Sequence, residues 1–281
     1  MLLSASMLAL LFFASCGGKD HKRSEKHNAE TQISGNPKID DQTTQDGTIT
    51  RSNVTVQWSA IPAGTFTMGS PDNEVNRYPY ETKHQVTLSA FKMSKYEVTF
   101  DQYDAFCIAT NRKKPTDNGW GRGKRPVIYV SWEDATAFAS WMGCRLPTEA
   151  EWEYACRAGT TTPFSTGINL TTDQANYDGN HPYNNNPKGI FRKMTLEVGS
   201  FVPNAWGLYD MHGKVWEWCS DWYGATPATT QINPTGPSEG SERVIRGGSW
   251  IFGAKYCRSA RRNEPGAFGA DNDLGFRLVI L

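Results

Sequence analysis

Six cysteines and five histidines are the side chains best able to hold a metal, form a disulfide or attack a substrate. Cys16 closes an N-terminal apolar stretch, and Cys107, Cys144, Cys156, Cys219 and Cys257 lie far apart along the rest of the chain. No CxxC and no regular Cys/His spacing marks a zinc site. In an oxidising compartment thiols tend to pair, so one or two disulfides are expected with at least one thiol left over, connectivity open. His84 and His212 have no nucleophile at a set distance in sequence, and each reads as a structural histidine. Arg145, Glu149 and Glu151 read as a buried ion-pair network that fixes a helix against a loop, with Pro147 and Thr148 starting the helix. Trp216, Trp218 and Trp222 read as core or loop-clamping aromatics. Gly247 and Gly248 read as a bend or close approach that a Cβ would block.

The elements that must position these residues begin after a targeting segment. Residues 1–16, MLLSASMLALLFFASC, are too short for the roughly 20 apolar residues a membrane-spanning helix needs. They end in small residues as a secretory signal does. Phe13-Ala14-Ser15-Cys16 matches a bacterial lipobox, in which Cys16 is diacylated and becomes the mature N-terminus. Each buried CH2 of the acyl chains adds about 0.8 kcal/mol to membrane attachment. Residues 17–53 hold almost no large apolar side chains and read as a disordered tether. A fold of residues 54–281 follows. The protein is therefore expected to be exported and membrane-anchored, on the periplasmic face or at the outer membrane and cell surface. The 29 basic and 29 acidic residues give no electrostatic reason to expect nucleic acid.

Within the fold, residues 54–66 alternate apolar and polar and read as a strand; 86–91 and 93–98 read as two more. Thr99 reads as the N-cap of a helix running to about Thr110, Ser131 as the cap of a second, and Thr148 as the cap of a third. Beyond residue 160 there is almost no regular pattern, only short strand candidates at 215–218, 244–245 and 276–280. Ten tryptophans, 11 tyrosines and 26 glycines suit long loops clamped by large side chains.

The signposts form an ordered series: Gly64-Thr65-Phe66-Thr67-Met68-Gly69-Ser70, Tyr96-Glu97-Val98-Thr99 and Val130-Ser131-Trp132-Glu133-Asp134-Ala135 come first. Arg145-Leu146-Pro147-Thr148-Glu149-Ala150-Glu151-Trp152-Glu153-Tyr154-Ala155 and Asn204-Ala205-Trp206-Gly207-Leu208-Tyr209-Asp210-Met211 follow. Gly213-Lys214-Val215-Trp216-Glu217-Trp218, Arg246-Gly247-Gly248-Ser249-Trp250 and Gly275-Phe276-Arg277 complete it. This series resembles the formylglycine-generating-enzyme, or sulfatase-modifying-factor, family from about residue 54 to the C-terminus. The resemblance implies an α+β fold, a distant variation on the C-type-lectin fold, with low regular secondary structure and long loops.

It also implies a chemistry whose parts can be checked. The archetype oxidises a cysteine of unfolded sulfatases to formylglycine with O2 and copper(I), held by a C-x4-C thiolate pair shortly after Arg-Gly-Gly-Ser-aromatic. Soft thiolates suit that metal. Here Phe252 stands where the first cysteine belongs, and Cys257 keeps the second's offset by simple counting. An alignment with a short deletion moves Cys257 to a structural position instead. Copper and a catalytic residue set are accordingly not expected. Family members also carry structural calcium. At one site the usual asparagine is Lys214, whose ammonium cannot coordinate a cation and could replace the ion's charge. At the other, Asn176 could still bind calcium through its side-chain oxygen. Two functions compete. The favoured one is a non-catalytic binding or structural module for an unknown protein or ligand at the cell envelope, with a groove near Ser249, Trp250 and Trp218. The alternative is a copper- and O2-dependent oxidase converting a sulfatase cysteine to formylglycine.

Overall fold

The computed structural model describes residues 42–43, 49–264 and 269–281. Cys16, its signal segment and most of the tether lie outside the described residues.

Three reciprocal capping boxes set the helices. α1 spans Phe100–Thr110, α2 Trp132–Trp141 and α3 Glu149–Arg157. Thr99, Ser131 and Thr148 each accept from the backbone N–H three residues on, and Gln102, Asp134 and Glu151 reach back to the caps. Such caps answer backbone donors that the first helical turn leaves without partners, at about 1 kcal/mol each. All three expected helices are found.

The strands are short. In chain order they are β1 Gln42–Thr43, β2 Ile49–Arg51, β3 Val54–Val56, β4 Trp58–Ile61, β5 Gly64–Met68, β6 His84–Leu88 and β7 Phe91–Ser94. After the helices come β8 Trp216–Trp222, β9 Gln231–Ile232, β10 Arg243–Arg246, β11 Arg262–Asn263, β12 Leu274–Gly275 and β13 Val279–Ile280. They form four small sheets, ordered β1-β2-β3, β13-β7-β4, β5-β6-β9 and β11-β10-β8-β12. The single strand expected over 54–66 is three strands belonging to three different sheets. One break falls at Pro62, which has no N–H to give a ladder. The strand expected over 276–280 is reduced to β13, and Phe276 and Leu278 instead accept single backbone bonds from Val98 and Ser94. The N-terminal strand β2 pairs with β3, so ordered structure extends before residue 54.

Between α3 and β8 the described chain forms no helix or strand. Side chains supply the backbone partners that a sheet would otherwise give. Asn204 donates to Ala155 O at 2.8 Å and accepts from the N–H groups of Trp206 and Leu208. A local apolar cluster of Phe164, Leu170, Ala175, Tyr177, Tyr183, Ala254 and Cys257 holds this stretch to the later loops.

The ion-pair expectation is met in part and corrected in part. Arg145 binds Glu151 in a fork of 2.6 and 2.7 Å. Glu149 belongs to a separate pair, accepting two bonds of 2.7 and 2.8 Å from Arg262. Glu153 takes Arg246 and Arg157. Successive carboxylates at every second position of a helix point in different directions, so one arginine cannot gather them. α3 is buried on all sides, and each carboxylate it buries meets a guanidinium: Arg145 just before the helix for Glu151, and the distant Arg262 and Arg246 for Glu149 and Glu153.

Candidate functional site

Four of the five cysteines in the described region, Cys107, Cys156, Cys219 and Cys257, are free buried thiols. The expected disulfide does not form among them. Cys257 is fully buried in the apolar cluster with Phe164, Tyr177 and Tyr183, and burial pushes its thiol well above the usual range. A Cβ on Gly248, whose φ is +77°, would stand 2.7 Å from its sulfur, so Gly248 is needed for that close approach. Phe252 lies elsewhere, half-buried, with its ring 5.9 Å from Trp216 and 5.0 Å from Tyr256. A phenyl ring offers no lone pair, and a buried neutral thiol is a poor ligand for any metal. The residues present do not fit a two-thiolate copper site.

Phe252 instead forms one wall of a groove of about 250 Å3, with Trp216, Ile251 and Asp273. β8 supplies Trp216, and the turn after Arg246-Gly247-Gly248 supplies Ile251 and Phe252. Burial raises the Asp273 carboxyl to about 6, partly offset by a 2.6 Å bond from Ser249 Oγ. Glu264 and Asp271 also line the groove, giving it an acidic rim over an aromatic wall.

The three residues expected at the groove sit one layer behind it. Ser249 is fully buried and reaches the groove only through Asp273. Trp250 donates to Asn272 O at 3.1 Å and packs edge-on to Trp120 at 5.2 Å and against Phe191 at 6.2 Å. Trp218 is in the core, its indole bonded to Val130 O at 3.0 Å. Trp216 and Trp218 are core aromatics as expected, and Trp222 stacks on Arg243 at 3.4 Å. Sequence reasoning missed Asp273 and Asp271, because their approach to Phe252 depends on loops far apart in the chain.

His212 has neighbours that its sequence position hid. Its Nδ1 bonds Cys257 O at 2.8 Å, which leaves Nε2 as an acceptor for Ser165 N–H and Ser165 Oγ, each at 2.9 Å. Cys156 Sγ lies 3.9 Å away. The arrangement has a nucleophile and base in reach but not the basicity. Burial pushes the imidazole down to about 4 and the Cys156 thiol up to about 12. The one Nε2 lone pair is shared by two donors, so His212 is a satisfied structural histidine, as expected. His84 likewise bonds Thr82 O at 2.9 Å.

A larger cavity, of about 500 Å3, opens against His84, Glu149, Asp221 and Arg262. Size alone does not make it the better site, because its principal charges are spent on each other. Arg262 is locked to Glu149, and Asp221, raised to about 7 by burial and by Glu149, already accepts from Glu149 N–H.

Asn176 is buried beside the Gly213 turn, its backbone carbonyl accepting from Lys214 N–H at 2.7 Å. Its amide donates to Met194 O, and its Oδ1 is buried without a partner. That orphaned hard oxygen is a donor calcium accepts. Among the described residues no group of three His, Cys, Asp or Glu side chains gathers to complete such a site.

With this geometry in hand, comparisons with known proteins are specific. Residues 46–281 match the sulfatase-modifying factor enzyme 1-like domain. The chain is 32% identical to the formylglycine-generating enzyme of Mus musculus over 274 residues, covering 78% of this chain and 73% of that protein. It is 32% identical to the serine/threonine-protein kinase pkn1 of Chlamydia pneumoniae, covering 78% of this chain but only 37% of the kinase. In structure it is similar to Treponema denticola variable protein 1, with TM-score 0.66, 29% identity and coverage of 84% of this chain and 99% of that one.

Proposed function

This chain belongs to the sulfatase-modifying factor family, and we propose that within it the protein is a non-catalytic binding module of the bacterial cell envelope, held to the membrane by acylated Cys16. The observation that carries this reading is the pair Phe252 and Cys257. One stands at the groove with no ligand atom, and the other has its thiol sealed in an apolar cluster. A groove with an aromatic wall and an acidic rim suits recognition of a peptide or small ligand by shape and charge. The match to little more than a third of a kinase fits a domain that serves proteins of unlike activity.

The test is anaerobic titration of the full chain with copper(I), followed by O2 and a Cys-x-Pro-x-Arg peptide, read by mass spectrometry. Absence of tight copper binding and of formylglycine supports the module. Turnover overturns it in favour of the oxidase, the reading that identity to formylglycine-generating enzymes favours. Incorporation of labelled palmitate into the chain, lost in Cys16→Ser, tests the anchor; a soluble, unlabelled chain would sink it.

A further inference from the structure

Lys214 lies on the turn that leads into the groove-lining strand β8, and its ammonium is 1% exposed. A buried ammonium is costly unless paired. Here Nζ meets Asp210 Oδ2 at 2.6 Å and donates to Glu197 O at 2.8 Å. Asp210 Oδ2 also accepts from Gly199 N–H at 2.6 Å. Asp210 and Lys214 both adopt left-handed backbone, with φ of 60° and 67°, which turns their side chains to the same ion pair at a conformational cost.

The surroundings hold more oxygen than one ammonium uses. Glu97 is 1% exposed, and both its carboxyl oxygens are buried without a hydrogen-bond partner. Asp210 Oδ1 is buried and unpartnered as well. The charged groups around Glu97 are Lys214, Asp210, Arg277 and Glu217, and the last two satisfy each other. Burial raises the Glu97 carboxyl to about 8, partly offset by the Lys214 ammonium nearby. Two carboxyl groups and a main-chain carbonyl are hard donors of the kind a divalent ion takes. Without the lysine ammonium the buried Asp210 carboxylate would lose its counter-charge.

We propose that Lys214 is a built-in cation held by Asp210 and Glu197 O beside the buried Glu97 carboxyl, so that this turn is held without the calcium the fold family implies there. The ammonium arrives covalently, so its occupancy does not depend on ion concentration. It also fixes the turn that aims Trp216 at the groove.

The experiment compares thermal unfolding of the full chain, Lys214→Asn and Asp210→Asn/Lys214→Asn, each in chelator and in millimolar calcium. The wild type sets the baseline, so any calcium response at Asn176 is common to all three and subtracts. Lys214→Asn is expected to melt about 10 °C lower in chelator and to regain much of that loss in calcium. The double variant is expected to lose that regain. Since Lys214→Asn can fail to fold in chelator, it is also refolded from urea in both solutions. Recovery in calcium alone supports the proposal. Equal recovery, equal failure, or a calcium response no larger than the wild type's would overturn it.

Discussion

Glu217 and Arg277, separated by 60 positions in the chain, face each other through two hydrogen bonds of 2.6 and 2.7 Å with both side chains buried. Glu217 also accepts from Trp152 Nε1 at 2.8 Å, and Arg277 donates to Tyr209 O at 3.0 Å. Three sequence signposts, on α3, on β8 and next to β13, thus meet at one carboxylate.

Removing one partner leaves an uncompensated buried charge. Arg277→Met is expected to lower unfolding free energy by about 3–5 kcal/mol. Glu217→Gln/Arg277→Met should lose less than the two single variants summed, since neither charge is then stranded. Urea unfolding at pH 7 checks both statements, and an unchanged midpoint for Arg277→Met would show that the pair is dispensable.

The thiols give a second test. Cys156, Cys219 and Cys257 are sealed in the core with their thiols pushed up by burial, so they should resist iodoacetamide until the chain is denatured. For the same reason Phe252→Cys should not create tight copper(I) binding, because its would-be partner Cys257 faces the other way, into the Phe164 and Tyr177 cluster. Intact-mass labelling reads the first. Competition with a copper(I) chelator reads the second, and tight binding by Phe252→Cys would contradict the burial of Cys257.

His212 makes stability depend on acid. Its folded pKa lies near 4, below the ordinary 6.5. Above 6.5 both states are neutral and the ring contributes nothing to the pH dependence. As pH falls from 6.5 towards 4, the unfolded chain binds a proton that the fold refuses, so stability drops. The loss levels off below pH 4 at about 3 kcal/mol. Denaturation midpoints of the wild type and His212→Gln across pH 4 to 7 measure it. Parallel curves would show that the imidazole takes up its proton as readily in the fold as in the unfolded chain.

Gly213 is predicted to tolerate no side chain. Its φ is +85°, and a Cβ would stand 2.5 Å from Asn176 O, the carbonyl that accepts from Lys214 N–H. Gly213→Ala should cost at least about 2 kcal/mol, from left-handed strain and from the displaced bond together. A thermal midpoint equal to the wild type's would show that the turn relaxes freely.

Local chemistry was legible in the sequence wherever it acts over a few residues. Thr99, Ser131 and Thr148 announced their helices because a cap and its return partner sit three positions apart. The Gly247-Gly248 pair announced a close approach, and both have positive φ. The order of the signposts carried the fold, since motifs as specific as Arg145-Leu146-Pro147-Thr148-Glu149 fix a topology that composition leaves open. What only the tertiary structure decided are the pairings across long separations. Glu149 found Arg262 and not Arg145, one apolar stretch became strands of three sheets, and the groove lies at Trp216, Phe252 and Asp273, one layer outside Ser249, Trp250 and Trp218. A sequence states which side chains carry charge or rings. Which of them meet, and which face water, is set by the packing of loops whose backbone conformation has no period to read.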